Sequence, residues 1–195
     1  MSRKSSPERQ QEIVQAVLSL IAEQGIQGVT MARIADRVGI TEAALYRHFR
    51  GKMEIVAATI DTTFDELWAM LTASAGSGTT CEMLKNVLIA HLRFIEKHPG
   101  MARILFSDEV HFNSATLRKK LSQRGVQVSG LIANLLHAGS AARELQANLD
   151  VKSATVLYRG IVQAQVLAWA HAEKEGGLAD SADGIWKLYE KAIRE

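Results

Sequence analysis

The residues best suited to chemistry lie in one short stretch, Thr41-Glu42-Ala43-Ala44-Leu45-Tyr46-Arg47-His48. A threonine able to cap a helix is followed by an acid and two alanines, then by a phenol, a guanidinium and an imidazole. Small residues at a helix tip let it approach base edges in a major groove, and alanine methyls can meet thymine methyls. Hydroxyl and cationic groups beside them are phosphate ligands. Glu42 can accept a hydrogen bond from a cytosine amino group but is repelled by nearby phosphates. This is the chemistry of reading DNA. Nothing comparable points to catalysis: there is no phosphate-binding glycine loop, no nucleophile elbow and no helical histidine pair. Asp108, Glu109 and His111 fit no standard metal spacing, and the single cysteine, Cys81, has no basic neighbour to activate it. The sequence is therefore read as that of a binding protein, not an enzyme, with no cofactor and no metal.

The elements that must position this stretch are helices. Thr30 can cap a short helix containing Ile34, Ala35 and Val38 that stops at Gly39, and Thr41 can cap the next. Ala35 is small where two helices approach, and Gly39 suits a turn with positive φ, as a helix-turn-helix requires. Upstream, Ser6-Pro7-Glu8 is a helix start, and Ile13, Val14, Val17, Leu18 and Ile21 mark one face of a helix ending before Gly25. Downstream, Lys52 opens a longer helix that ends near the small-residue linker 74–78. Further apolar stripes follow, interrupted by Pro99 and by Gly176-Gly177. The chain holds only two prolines among 195 residues, so about nine helices and no strand are expected, an all-α fold. Residues 1–54 carry eight Lys/Arg against six Asp/Glu, whereas the remainder carries fifteen of each, so the whole positive excess lies beside the reading stretch. The expected division is a helix-turn-helix domain over 1–52 and a second helical domain over 53–195. The N-terminus lacks the apolar core of a secretory signal, and one cysteine suits a reducing compartment, so the cytoplasm is expected.

The run Val29-Thr30-Met31-Ala32-Arg33-Ile34-Ala35, then Gly39 to Phe49, then Gly51-Lys52, resembles the DNA-binding signature of the tetracycline-repressor (TetR/AcrR) family of bacterial regulators. The resemblance covers about residues 8–56; beyond them it is one of length and helical character. It implies an N-terminal three-helix reader, a C-terminal helical domain that binds a small effector, and dimerisation through the last two long helices. Carried onto this sequence, it puts Thr30, Tyr46 and Lys52 on phosphates and Thr41, Glu42, Ala43 and Ala44 at base edges. Arg33, Arg47 and His48 would add contacts. The stretch Glu42 to His48 also resembles family members that act in nucleoid occlusion, which leaves open a DNA-bound adapter that recruits a protein.

Two further sets of residues follow from the helical pattern. In the helix beginning at Val151, Val156, Gly160, Ala164 and Leu167 form an apolar stripe opposite a second one. A helix apolar on two sides is buried twice, so this stripe, with Gln163 beside it and Trp186 and Tyr189 from the final helix, is expected at a two-fold dimer interface. Trp68, Leu71, Leu88, His91, Phe94, Met101, Leu105, Phe106, Gln165 and Trp169 are the expected lining of an effector pocket, its ligand small and hydrophobic. The expected function is a dimeric regulator, a repressor released from a palindromic operator by that ligand.

Overall fold

A computed structural model describes residues 6–171 and 176–194. Among them are nine α-helices and no strand: α1 Ser6–Gln24, α2 Met31–Val38, α3 Glu42–Tyr46, α4 Lys52–Ala75, α5 Thr80–Lys97, α6 Pro99–Leu105, α7 Ala115–Ala141, α8 Val151–His171 and α9 Ala182–Arg194. A 3-10 turn, Ile26–Gly28, follows α1, and a π-helical turn, Glu109–Asn113, follows α6. The last three positions of the helix expected over 151–174 lie outside the described residues. None of the described helices is long and apolar enough to cross a membrane.

The chain divides into two compact units, residues 1–65 with 98–122 and residues 66–97 with 123–195. These units are drawn differently from the division at residues 52 and 53. The first unit gathers, besides the three N-terminal helices, the start of α4, all of α6 and the beginning of α7. Its core is aliphatic: Val17, Ile21, Ile34, Leu45, Ile60 and Ile104 are buried. α1 packs on both α2 and α6. The second contact depends on Gly100, where a Cβ would fall 2.3 Å from the carbonyl oxygen of Leu18, so only a residue without a side chain lets the backbones approach. Gln27 donates to Glu109 at 2.6 Å, tying the 3-10 turn to the π-helical one. Lys120 pairs with Asp61 in the same unit.

In the second unit α5 packs on α8 and α9. Tyr158 and Tyr189 are buried at its centre, edge to face with ring centroids 5.5 Å apart. Each phenol donates to a carbonyl, Tyr158 to Leu84 at 3.0 Å and Tyr189 to Ala154 at 3.1 Å. Burial raises both phenol pKa values, which keeps them neutral donors. The loop between α7 and α8 closes the end of α9: the backbone N–H and side-chain amide of Gln146 donate to Ile193 and Ala192, both at 3.0 Å. Glu144 accepts from the backbone N–H of Thr80 at 2.5 Å and so satisfies one of the free donors at the start of α5.

Candidate nucleic-acid interface

The helix-turn-helix is fixed by two caps and one turn. Thr30 Oγ1 accepts from the N–H of Arg33, and Thr41 Oγ1 from that of Ala44, each at 3.2 Å. Both threonines hold extended backbone at an N-cap, where the side-chain oxygen replaces a missing helical acceptor. Gly39 stands between them at φ 72°, ψ 39°, the left-handed conformation that only glycine adopts without strain. Its N–H, with that of Ile40, returns to the last carbonyls of α2. Leu45 is fully buried, whereas Glu42, Ala43, Tyr46, Arg47 and His48 are exposed and Ala44 is half-buried. Tyr46 is 54% exposed, unusual for an aromatic residue beside a core leucine.

α4 follows α3 after a turn over residues 47–51. The carboxylate of Glu54 accepts from the backbone N–H of Arg50 at 2.6 Å, which pins the turn that places Lys52 at the first position of α4. Lys52 is half-buried, and Arg50, which the motif reading passed over, is exposed. Its signal was its place directly before Gly51-Lys52.

Arg33 and Arg37 are already engaged within the chain. The Arg33 guanidinium donates to the Gln24 side chain and, at 3.1 Å, to the carbonyl of Gly28. Arg37 forms a two-pronged pair with Glu23 at 2.9 and 2.8 Å, and that guanidinium holds the Glu23 carboxyl below its ordinary range. These bonds span nine and fourteen residues, too far for helical periodicity to foretell. Arg33 stays on the exposed face expected of it, while its guanidinium also fastens α2 to the end of α1.

A model of bacterial regulatory proteins, tetR family, matches residues 13–59, from within α1 through α2 and α3 into α4. The nucleoid occlusion factor SlmA of Actinobacillus pleuropneumoniae serotype 5b is 33% identical over 138 residues, 70% of this chain and 68% of that protein. This chain belongs to the TetR family. It is a DNA-binding regulator by that membership, not an enzyme. SlmA of Haemophilus ducreyi is 34% identical over 63% of this chain, but the match spans only 62% of that protein's length. Among solved structures, the fatty acid degradation regulator FadR of Bacillus halodurans superposes with a TM-score of 0.83 at 18% identity, covering 96% of each chain. FadR of Bacillus subtilis, solved with stearoyl-CoA, gives 0.82 at 20% identity, over 94% of this chain and 99% of that one. At these identities the structures share the TetR fold.

The other expected site residues are distributed as follows. On α8, Val156, Gly160, Gln163, Ala164 and Leu167 are all exposed, Val156 at 65%. Trp186 and Tyr189 are not: both are buried in the second unit's own core, 5.7 Å apart by ring centroids. The expectation that they meet a partner is therefore corrected. Tyr189 spends its hydroxyl on Ala154, and Trp186 donates its indole N–H to Glu190 at 3.1 Å. The large apolar residue that α9 does expose is Leu188, at 73%.

Of the expected pocket residues, Met101, Leu105 and Phe106 belong to the first unit and the rest to the second. Leu71, Leu88, Phe94 and Met101 are buried; Trp68, Leu105 and Trp169 are half-buried, and Phe106 is exposed. Gln165 is half-buried and accepts from the Ser181 hydroxyl. His91 is the distinctive member. Burial, reinforced by the charge of Arg159, pushes its pKa down to about 4, so the imidazole is neutral near pH 7. Its Nδ1 is buried without a hydrogen-bond partner. Cys81 is buried, and that burial together with Glu190 raises its pKa, making it a poor nucleophile. Among the described residues, no three acids, histidines or cysteines gather as a metal site.

Proposed function

We propose that this TetR-family protein works in the cytoplasm as a homodimeric repressor that reads a palindromic operator with α3. The exposed set Glu42, Ala43, Tyr46, Arg47 and His48, on a helix rigidly capped by Thr41, carries this reading. Thr41, Ala43 and Ala44 lie against base edges, Glu42 selects a cytosine, and Thr30, Tyr46 and Lys52 hold phosphates. One dimer places two such helices about one helical turn of DNA apart, roughly 34 Å, which requires inverted half-sites. The apolar stripe Val156, Gly160, Ala164 and Leu167, exposed on α8, supports the dimer. A small hydrophobic effector bound within the second unit releases the DNA by favouring a dimer whose readers are wrongly spaced. The neutral, unpartnered Nδ1 of His91 supports a polar contact to such a ligand in apolar surroundings.

A second reading has a specific observation in its favour: relatives matching 63 to 97% of the chain are nucleoid occlusion factors. On that reading the protein is a DNA-bound adapter that presents a surface to another protein and needs no small ligand. Sequencing genomic fragments retained by the purified protein at near-physiological salt separates the two. One or a few palindromic sites upstream of genes support the repressor. Many sites scattered over the chromosome support the adapter, and no retained fragment refutes both.

A further inference from the structure

The turn over residues 47–51 carries Arg47 and Arg50 and leads into Lys52 at the first position of α4. Its backbone is held from both ends. On the α3 side the N–H groups of His48 and Phe49 both return to the carbonyl of Leu45, at 2.9 Å each. On the α4 side the carbonyl of Gly51 accepts from the N–H groups of Glu54 and Ile55, at 3.1 and 3.3 Å, which makes Gly51 the residue from which α4 starts. At the corresponding points before α2 and α3 stand Thr30 and Thr41, each capping its helix with its own side chain. Glycine has no side chain to do this. The task passes to Glu54, at the third position of α4, whose carboxylate reaches back to the N–H of Arg50 at 2.6 Å.

Two effects of Glu54 on DNA binding oppose one another. It is exposed, and a carboxylate two residues from Lys52 repels the phosphates that Lys52 would meet. Against that, its bond to the Arg50 N–H fixes the backbone of a loop whose Arg50 and Lys52 are the cations on offer. Repulsion between exposed charges is screened over about 8 Å at physiological salt, whereas the bond acts on the loop directly. A cation held in place also spends less side-chain and backbone entropy on reaching a phosphate.

We propose that Glu54 is a positioning residue of the DNA interface: by accepting from the Arg50 N–H it sets the loop so that Arg50 and Lys52 face the phosphate backbone, and this outweighs the repulsion of its own charge. The inference rests on the reading that puts Lys52 on a phosphate and gives a role to a residue that reading leaves out.

The two effects predict opposite signs, so binding of the full chain to duplex DNA of mixed sequence at several salt concentrations tests the proposal; phosphate contacts are made without regard to sequence. E54A removes a negative charge from each subunit and would tighten binding if charge alone mattered. It is expected instead to weaken binding about tenfold or more, as loss of a charge-assisted hydrogen bond does, and to flatten the log–log salt slope by about 2, one phosphate in each subunit of a dimer. E54Q, whose amide oxygen still accepts from Arg50, should keep the wild-type slope and bind at least as tightly. G51S added to E54A controls for fraying of α4: a Cβ at residue 51 meets nothing within 4 Å, and the hydroxyl caps the helix without reaching the Arg50 N–H. That double variant should regain stability in urea but not affinity. The role of Glu54 is overturned if E54A binds as tightly as wild type or more tightly, if E54Q is as weak as E54A, or if G51S restores affinity. A flattened slope in K52A beside an unaltered E54A would remove the role of Glu54 alone, whereas an unchanged slope in K52A would overturn the phosphate reading and this proposal with it.

Discussion

Replacing Gly100 with alanine should separate α6 from α1, and the size of the effect can be worked from the packing. The new Cβ would lie 2.3, 3.0 and 3.1 Å from the carbonyl oxygen, carbonyl carbon and Cα of Leu18. Ordinary contact between such atoms requires roughly 3.5 Å, so α6 must retreat by about 1 Å. All three atoms are backbone, so no side-chain rotation relieves the clash, and the buried Met101, Ala102 and Ile104 on α6 lose contact. Overpacking of this kind costs about 1 to 3 kcal/mol, against a helix-propensity gain of at most about 1 kcal/mol. The same substitution at Gly130, in the middle of α7, meets nothing within 4 Å and should stabilise by about 0.5 to 1 kcal/mol. Urea unfolding of the two variants beside wild type reads both values. Because α2 also rests on α1, G100A should weaken DNA binding while G130A leaves it unchanged. Equal stability of G100A and wild type, or a change of the same sign in both variants, would refute the packing assigned to α6.

Three further outcomes are expected. Y46A and K52A should weaken binding to specific and non-specific DNA alike, and K52A should also flatten the plot of log affinity against log salt by about 0.9 per subunit; an unchanged slope argues against a phosphate at Lys52. His91 is neutral in the folded chain with a pKa of about 4, while the unfolded chain protonates it near 6.5, so its stabilising contribution is complete above pH 6.5 and is lost as the pH falls towards 4. Wild type should therefore lose on the order of 3 kcal/mol more than H91L over that window in urea titrations, and a flat difference would remove the case for a buried imidazole. A164D puts an unpaired charge in the centre of the exposed stripe on α8 and should give folded monomers by sedimentation; a stable dimer would mean that the chains meet elsewhere.

The parts of the fold that were legible in the sequence are those set by local chemistry. Thr30, Gly39 and Thr41 act through bonds to residues within a few positions, and the structure holds each in the capping or turn geometry its type requires. The exposed stripe on α8 was equally legible, because its period follows from helix geometry alone. Pattern failed where partners are distant. Trp186 and Tyr189 are large aromatic residues on the last helix, and periodicity could not tell a face turned to a partner from one turned to the chain's own core; the hydroxyl of Tyr189 needed the carbonyl of Ala154. Gly100 reads in sequence as part of a break after Pro99, yet its missing side chain is what joins α6 to the reading unit. The π-helical turn at 109–113 carries no local signature at all.

The arginine clamps also determine how DNA binding must respond to salt. With Arg33 bonded to Gln24 and Gly28, and Arg37 to Glu23, the cations around α3 whose side chains make no bond among the described residues are Arg47, Arg50 and Lys52. If each neutralises one phosphate, a dimer should show a log–log salt slope of about −5, at roughly 0.9 per contact. Release of Arg33 and Arg37 onto the backbone would steepen it to about −9. The phosphate contacts that set this slope carry no sequence information, so discrimination rests on the base-edge contacts of Glu42, Ala43 and Ala44 and on the two-fold pairing of readers. Measuring the slope on wild type and on E23Q decides the matter. If the clamp holds, E23Q frees one cation per subunit and should steepen the slope by about 2. An identical slope in both proteins, near −9, would show that Arg37 abandons Glu23 whenever DNA is bound.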